Sequence, residues 1–280
     1  MKASTQAEKA DRLRQLHTDP KILILPNAWD VASARILEEL GYPAIATTSA
    51  GVAFSLGFKD GQHISRKEML EVVSRIAAAV RVPVTADMEA GHGVSAADMA
   101  ETAKAVVEAG AVGMNLEDVL GSTEDSLVDL NLQCEKIGAI REASRAAGVP
   151  LVLNARTDIY LMAIGPAETR FERTVERLTA YRDAGADCLF APGLADGETI
   201  GKLVKALAAP LNILTGGCPP LGELEKLGVA RASTGSGVMN ATLGLVRRIG
   251  KELMERGTYS ALQEGAISFS ELNGLFPHHE

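Results

Sequence analysis

Five times along the chain, alternating apolar and charged positions at helical spacing end in a glycine and pass at once into a short apolar run. The instances are Glu39–Ala46, Glu108–Asn115, Ala146–Asn154, Asp183–Phe190 and Lys226–Ser233. A helix that stops at glycine and feeds a strand buried on both faces is the repeating unit of a parallel α/β barrel. Read through the whole chain, the pattern predicts strands at Ile22–Leu25, Ala44–Thr48, Val82–Ala86, a run ending at Glu117, Pro150–Asn154, Cys188–Ala191, Leu211–Leu214 and Ala230–Ser233. Helices are predicted at Val31–Leu40, Ser65 to near Val80, Ser95–Gly110, a stretch closing at Gly148, Ala167–Asp183 and Asp196–Leu207. Asp30 is placed to cap the first of these, and Ser65 with Glu68 and Ser95 with Asp98 have the spacing that starts a helix. The expected fold is α/β: a (β/α)8 TIM barrel forming a single domain over residues 1–280.

Beyond the last strand, Asn240–Arg256 is amphipathic, and a second short helix is predicted over Tyr259–Glu271. A barrel needs one helix there. The extra material, residues 240–280, reads as a lid or as a limb involved in subunit packing. The limb is preferred, because pairing buries apolar area that a lone chain leaves wet.

Composition narrows the picture. The chain has 280 residues, 46% hydrophobic, and a net charge of −8, so no basic face is offered to nucleic acid or to an anionic membrane. No apolar stretch approaches the roughly 20 residues that span a bilayer, and Met1–Leu16 is too polar for a signal peptide. Three cysteines, Cys134, Cys188 and Cys218, lack metal-ligand spacing. Cys188 reads as core, and a reducing cytoplasm without disulfides is expected.

The candidate chemistry is mostly acidic. Asp87 and Glu89 follow the third strand directly, Glu117 ends the fourth, and Asp60 lies in a loop after the second. Carboxylates gathered at one rim repel each other unless a cation sits among them, and without a Cys/His cluster a hard ion such as Mg²⁺ or Mn²⁺ is the fitting choice. The alternative is that these acids cap helices or face water singly, and the Lys59-Asp60-Gly61 turn needs no function. Arg156 leaves a strand that is otherwise apolar and can hold a substrate carboxylate or phosphonate in bidentate fashion; a structural ion pair with Glu117 or Asp158 is the plainer account. Asp158 suits a supporting role or a helix start as well as direct contact. Ser49, Ala50 and Gly51 put a hydroxyl and backbone N–H groups beyond the second strand, suited to an oxyanion or an oxo group, or to a simple turn. His92, between glycines, is either a base or a loop residue. Gly235-Ser236-Gly237 before a helix resembles a barrel phosphate loop, and polar Gly121–Asp129 suits a mobile lid.

Taken in order, Asn27-Ala28-Trp29-Asp30, Thr48-Ser49-Ala50-Gly51, Asp87-x-Glu89-x-Gly91-x-Gly93, Asn115-Leu116-Glu117-Asp118 and Ala155-Arg156-Thr157-Asp158 resemble the isocitrate lyase/phosphoenolpyruvate mutase superfamily over about residues 20 to 240. The resemblance implies an (α/β)8 barrel whose eighth helix is exchanged between subunits, in a homodimer or a dimer of dimers (a homotetramer). It implies Mg²⁺ or Mn²⁺ surrounded by Asp87, Glu89 and Glu117, largely through water. It implies Asp60 as an acid near substrate and metal, Ser49, Ala50 and Gly51 holding the oxo-acid end, and Arg156 stabilising the reacting oxyanion or carboxylate. The implied substrate is a small 2-oxo or 2-hydroxy di- or tricarboxylic acid whose C–C bond is cleaved. Three departures matter. No Lys-x-Cys-Gly-His loop follows Glu117, which argues against isocitrate and methylisocitrate lyase activity. Gly121–Asp129 lacks the Lys-Cys or Lys-Asn arrangement of phosphonopyruvate mutases. Glu89 stands where the superfamily more often has Asp. Phosphonate P–C chemistry, such as phosphonopyruvate hydrolysis, remains the alternative. A non-catalytic barrel that binds an oxo acid, and a barrel enzyme for a phosphate-bearing substrate, are the others.

Overall fold

A computed structural model of the chain describes residues 4–119 and 127–276. Helix α1 (Gln6–Leu16) is followed by β1 (Leu23–Leu25), β2 (Asn27–Ala28), α2 (Val31–Glu39), β3 (Ile45–Thr47), α3 (Ser49–Ser55), α4 (Arg66–Ala79) and β4 (Val84–Asp87). Then come α5 (Ala96–Glu108), β5 (Gly113–Glu117), α6 (Leu130–Ala146), β6 (Val152–Arg156), α7 (Arg170–Asp183), β7 (Cys188–Phe190), α8 (Gly197–Leu207) and β8 (Leu211–Leu214). The chain continues through α9 (Leu221–Lys226), β9 (Arg231–Ser233), α10 (Gly237–Arg256), α11 (Ser260–Gln263) and α12 (Phe269–Gly274).

All ladder pairs of the nine-stranded sheet are parallel, in the order β1-β9-β8-β7-β6-β5-β4-β3-β2. Its two ends are β1, which is the predicted first strand, and β2, which extends that strand past Pro26 into the segment expected to follow it. Pro26 separates them because it has no N–H to give the ladder. β1 pairs with β9 and β2 with β3, so the sheet curls round into the expected barrel through Pro26. Asp30, Ser65 and Ser95 cap α2, α4 and α5 as the spacing predicts, each with a reciprocal capping box.

Three elements differ from the sequence reading. The polar N-terminus forms α1, whose narrow stripe of Ala10, Leu13 and Leu16 is buried at the strand N-terminal ends. Leu13 packs beside Gly113, where an added Cβ would come within 3.0 Å of it. Ser49-Ala50-Gly51 is not a plain turn but the first turn of α3; a Cβ on Gly51 would approach Thr48 Cγ2 to 2.6 Å and Trp29 Cβ to 2.9 Å, so close packing explains that glycine. The single helix predicted over Tyr259–Glu271 is two short ones, parted around Gly265 at φ 70°.

Helix α10 buries only Met239, while Leu243, Val246, Leu253 and Met254 stay exposed, the last at 91%. The chain then returns to its own barrel, where Arg35 Nε donates to the Leu275 carbonyl at 2.8 Å. The predicted lid, Gly121–Asp129, lies outside the described residues except for its last three. There Leu127 forms an antiparallel bridge with Val119. The three cysteines are free and Cys188 is buried, as expected. Among the described residues no helix is long and apolar enough to cross a membrane.

Candidate active site

Neighbours in a parallel ladder project to the same face of the sheet, so the strand register decides which side chains meet. It aligns Asp87, Asn115 and Asn154 across β4, β5 and β6, and it aligns Glu117 with Arg156 two residues nearer the strand C-terminal ends. In the lower row, Asp87 Oδ1 accepts from Asn115 Nδ2 at 3.2 Å, and Asn115 Oδ1 accepts from Asn154 Nδ2 at 2.8 Å. The other Asp87 oxygen accepts from the Ser49 amide at 3.0 Å and the Ser49 hydroxyl at 2.9 Å. The sequence reading offered both Ser49 donors to an oxo acid; in this structure both are held by Asp87.

In the upper row, Arg156 Nη1 lies 2.9 Å from Glu117 Oε2 and Arg156 Nε lies 2.6 Å from Asp158 Oδ1. The guanidinium also stands 5.7 Å from the centre of the Phe190 ring, its partner in β7. Both ion pairs weighed for Arg156 are therefore present. A brace behind them was not anticipated. The Asp158 amide donates to Asp118 Oδ1 at 3.1 Å, and Asp118 Oδ2 accepts from Arg177 Nε and Tyr181 Oη, each at 2.7 Å. Asp118, fully buried, thus ties the end of β6 to α7. The only sequence signal was two acids in succession after an apolar strand, one facing in and one facing the helices.

Glu89 completes the rim. Its Oε1 accepts from the amides of Gly61 at 2.9 Å and Gln62 at 2.8 Å, while buried Oε2 has no hydrogen-bond partner. His92 Nε2 stands 3.6 Å away and is likewise without a hydrogen bond. Both residues have left-handed backbones, at φ 51° and 54°, a conformation costing about 1 kcal/mol or more for a non-glycine residue. That strain, together with the unpartnered oxygen, marks this turn as shaped for something other than stability. Asp60, expected beside the metal, is exposed on the loop outside, and its neighbours Gly61 and Gln62 make the contact to Glu89.

The electrostatics follow from burial. Desolvation, then Asp87, push the Glu89 carboxyl up to about 7. Burial pushes Glu117 well above the carboxylate range, against the pull of Arg156, and raises Asp158 in the same way. His92 is lowered by burial and by Arg66. Burial opposes the Arg156 charge, but Glu117 and Asp158 outweigh it. The rim holds more carboxyl groups than one guanidinium can pair. Among the described residues no three His, Cys, Asp or Glu side chains converge tightly enough to grip an ion directly. The donor set still fits a hard divalent cation held partly through water: its atoms are carboxylate oxygens, and one of them is buried and unpartnered.

The opposite side of the mouth is closed. Asn27 Oδ1 accepts from the amides of Thr234 and Gly235, each at 2.9 Å, and the Gly237 amide donates to the Thr234 carbonyl at 3.0 Å. The Gly235-Ser236-Gly237 turn is therefore fastened to the chain itself, which corrects its reading as a phosphate loop.

Comparison with known proteins settles the ancestry. The family description "Phosphoenolpyruvate phosphomutase" matches residues 13–254. The chain belongs to this family. Among solved structures, a Burkholderia cenocepacia J2315 protein provisionally assigned as a lyase/mutase is 40% identical, with a TM-score of 0.89 over 96% of this chain and 95% of that one. An oxaloacetate decarboxylase of Pseudomonas fluorescens is 30% identical over 82% of this chain and 79% of its own length. A 2,3-dimethylmalate lyase of Eubacterium barkeri is 28% identical over 95% and 93%. The family resemblance drawn from the motifs is thereby confirmed: this is an enzyme of the isocitrate lyase/phosphoenolpyruvate mutase superfamily, whose members are lyases and mutases acting on small carboxylates or phosphonates.

Proposed function

We propose that the chain cleaves a C–C bond in a small 2-oxo or 2-hydroxy di- or tricarboxylic acid, with Mg²⁺ or Mn²⁺ as its cofactor. The observation that carries this reading is the meeting of Arg156 with Glu117 and Asp158 in the row above the one that Asp87 begins, with Ser49 held on Asp87. Such a rim presents one fixed cation and several hard oxygen donors to a single small anion. Asp87, Glu89 and Glu117 would hold the metal, which supplies Lewis-acid polarisation of an oxo or hydroxyl group and offsets the crowded carboxylates.

The chain's own groups do the rest. Arg156 uses Nη1 and Nε on Glu117 and Asp158, leaving Nη2 for a substrate carboxylate oxygen. Phe190 and the Asp118–Arg177–Tyr181 brace keep that guanidinium from swinging. The Ser49 amide and hydroxyl are held together beside Asp87 and would serve as a pair of donors to a substrate oxygen bound there. Two preset donors then face the oxygen on which charge develops as the bond breaks. Asp60, exposed on the loop at the edge, would be the acid that works from outside this cluster. Helix α10, with its exposed apolar side chains, fits exchange between subunits of a homodimer or a dimer of dimers.

The deciding experiment is calorimetric titration with oxalate, a planar dicarboxylate mimic of an enolpyruvate, with and without Mg²⁺. Binding that needs Mg²⁺ and disappears in Asp87→Ala supports the reading. Equal binding in both, or none, removes it. A panel of 2-oxo acids, 2-hydroxy acids and phosphonopyruvate then separates C–C from P–C cleavage.

A further inference from the structure

Beneath the carboxylates the barrel buries a second cation. Arg231 opens β9; its register partner is Asn212, whose own partner is Phe190. Phe190 stacks on Arg156, so ladder alternation brings the Arg231 side chain into the same barrel interior. It is 1% exposed, and neither Nε nor Nη2 has a hydrogen-bond partner. A guanidinium does not shed its proton, and a buried one left without compensation is among the costliest groups a fold can carry.

A matching acceptor is left over in the same interior. Asp87 takes a hydrogen bond from Asn115, and Asn115 takes one from Asn154, so the two amides lie head to tail. The chain of donors stops at Asn154 Oδ1, which is buried and unpartnered. Asn154 is aligned with Cys188 of β7, and burial works against the Arg231 charge while Cys188 and Asp87 favour it. Unsatisfied polar atoms in a dry core are the usual partners of buried water.

We propose that Arg231 is the buried counter-charge of Asp87, joined to it by internal water and the head-to-tail amides of Asn154 and Asn115, and that this relay fixes the Asp87 carboxylate at the barrel mouth. Arg231 touches no substrate and is a positioning residue. The relay concerns the same carboxylate as the proposed function but does not depend on which bond is cleaved.

The test is a double-mutant cycle on thermal stability, measured without metal or substrate, so its failure is distinct from failure of the lyase reading. Arg231→Met is expected to lower Tm by roughly 5 °C in the native background and to leave it unchanged or higher with Asp87→Asn present. Asn154→Leu, which cuts the relay and leaves both charges, should remove most of that coupling. An equal Tm change in both backgrounds overturns the proposal. Should Arg231→Met not fold, a crystal structure of the native chain with ordered water decides. Density bridging Arg231 to Asn154 Oδ1 supports the relay, and water joining Arg231 only to the unpartnered His17 Nε2 overturns it.

Discussion

The two sides of the barrel mouth end the same parallel sheet and reach opposite states. On the β8–β9 side, Asn27 takes up the free amides of the Gly235 turn, and Asn212 and Ser233 satisfy each other. On the β4–β6 side, Glu89 and His92 keep buried atoms without partners, and three acids are driven up by desolvation. A fold that can close one half of its rim with a single asparagine could have closed the other. That it leaves strain and unbalanced charge beside Arg156 locates the chemistry, because such costs persist where a ligand is needed to relieve them.

The sharpest way to break the contrast is to remove its cation. Arg156→Ala leaves Glu117 and Asp158 facing each other without a partner. Loss of one member of a buried pair costs about 3–5 kcal/mol, so Tm should fall by roughly 10 °C, and oxalate binding should vanish. Arg156→Lys separates the two effects: it keeps the charge but not the fork that spans Glu117 and Asp158. It should recover most of the stability while kcat/KM stays down by roughly a hundredfold or more. Full activity in Arg156→Lys would show that Arg156 is only a strut.

Next in size is the pH response. Glu89 sits near 7 in the fold, above about 4.3 for an unfolded glutamate, so the folded chain binds that proton more tightly. Its contribution to stability is complete below about pH 4 and disappears as pH rises through 7, a swing of at most a few kcal/mol. Without metal, thermal melts should therefore show Tm falling between pH 5 and pH 8 (assay values near the two ends of the roughly 4–7 titration window), with a flatter profile in Glu89→Gln. Added Mg²⁺ should raise Tm more at the upper end, where the carboxylate is free of its proton. The same slope in Glu89→Gln would assign the effect to other groups.

How much of this was readable beforehand depends on the range over which each signal acts. The barrel was legible because helix-stop glycines and buried strands are local, and capping spacing fixed α2, α4 and α5. The rim acids and Arg156 were legible because polar residues at the end of an apolar strand have one plausible face. Helix α1 was not, since three apolar residues at spacing three form too thin a stripe to separate from solvent-facing helix. The Asn27 clasp joins positions 207 residues apart, and the Asp118 brace depends on how α7 crosses β6. No single-sequence pattern encodes either. The Gly235 turn misled for the same reason: a glycine-rich helix start is locally identical whether its amides are free or taken.

That turn supplies the mildest test. With the Thr234 and Gly235 amides already on Asn27, inorganic phosphate should not change Tm through this site. Asn27→Ala removes the acceptor and also the donor to the Thr47 carbonyl, 2.7 Å away, so buried groups lose partners on both strands at a cost of about 1–3 kcal/mol. Tm should drop by a few degrees. Because the partners of Asn27 are Thr47, Thr234 and Gly235 rather than the rim acids, oxalate affinity should change by less than about twofold, well under the 1.4 kcal/mol that a tenfold change requires. If Asn27→Ala instead created phosphate binding at Gly235, the closed side would be a latent phosphate site held shut by one side chain. If it abolished oxalate binding, the two halves of the mouth would not be separable, and the contrast between them would lose its meaning.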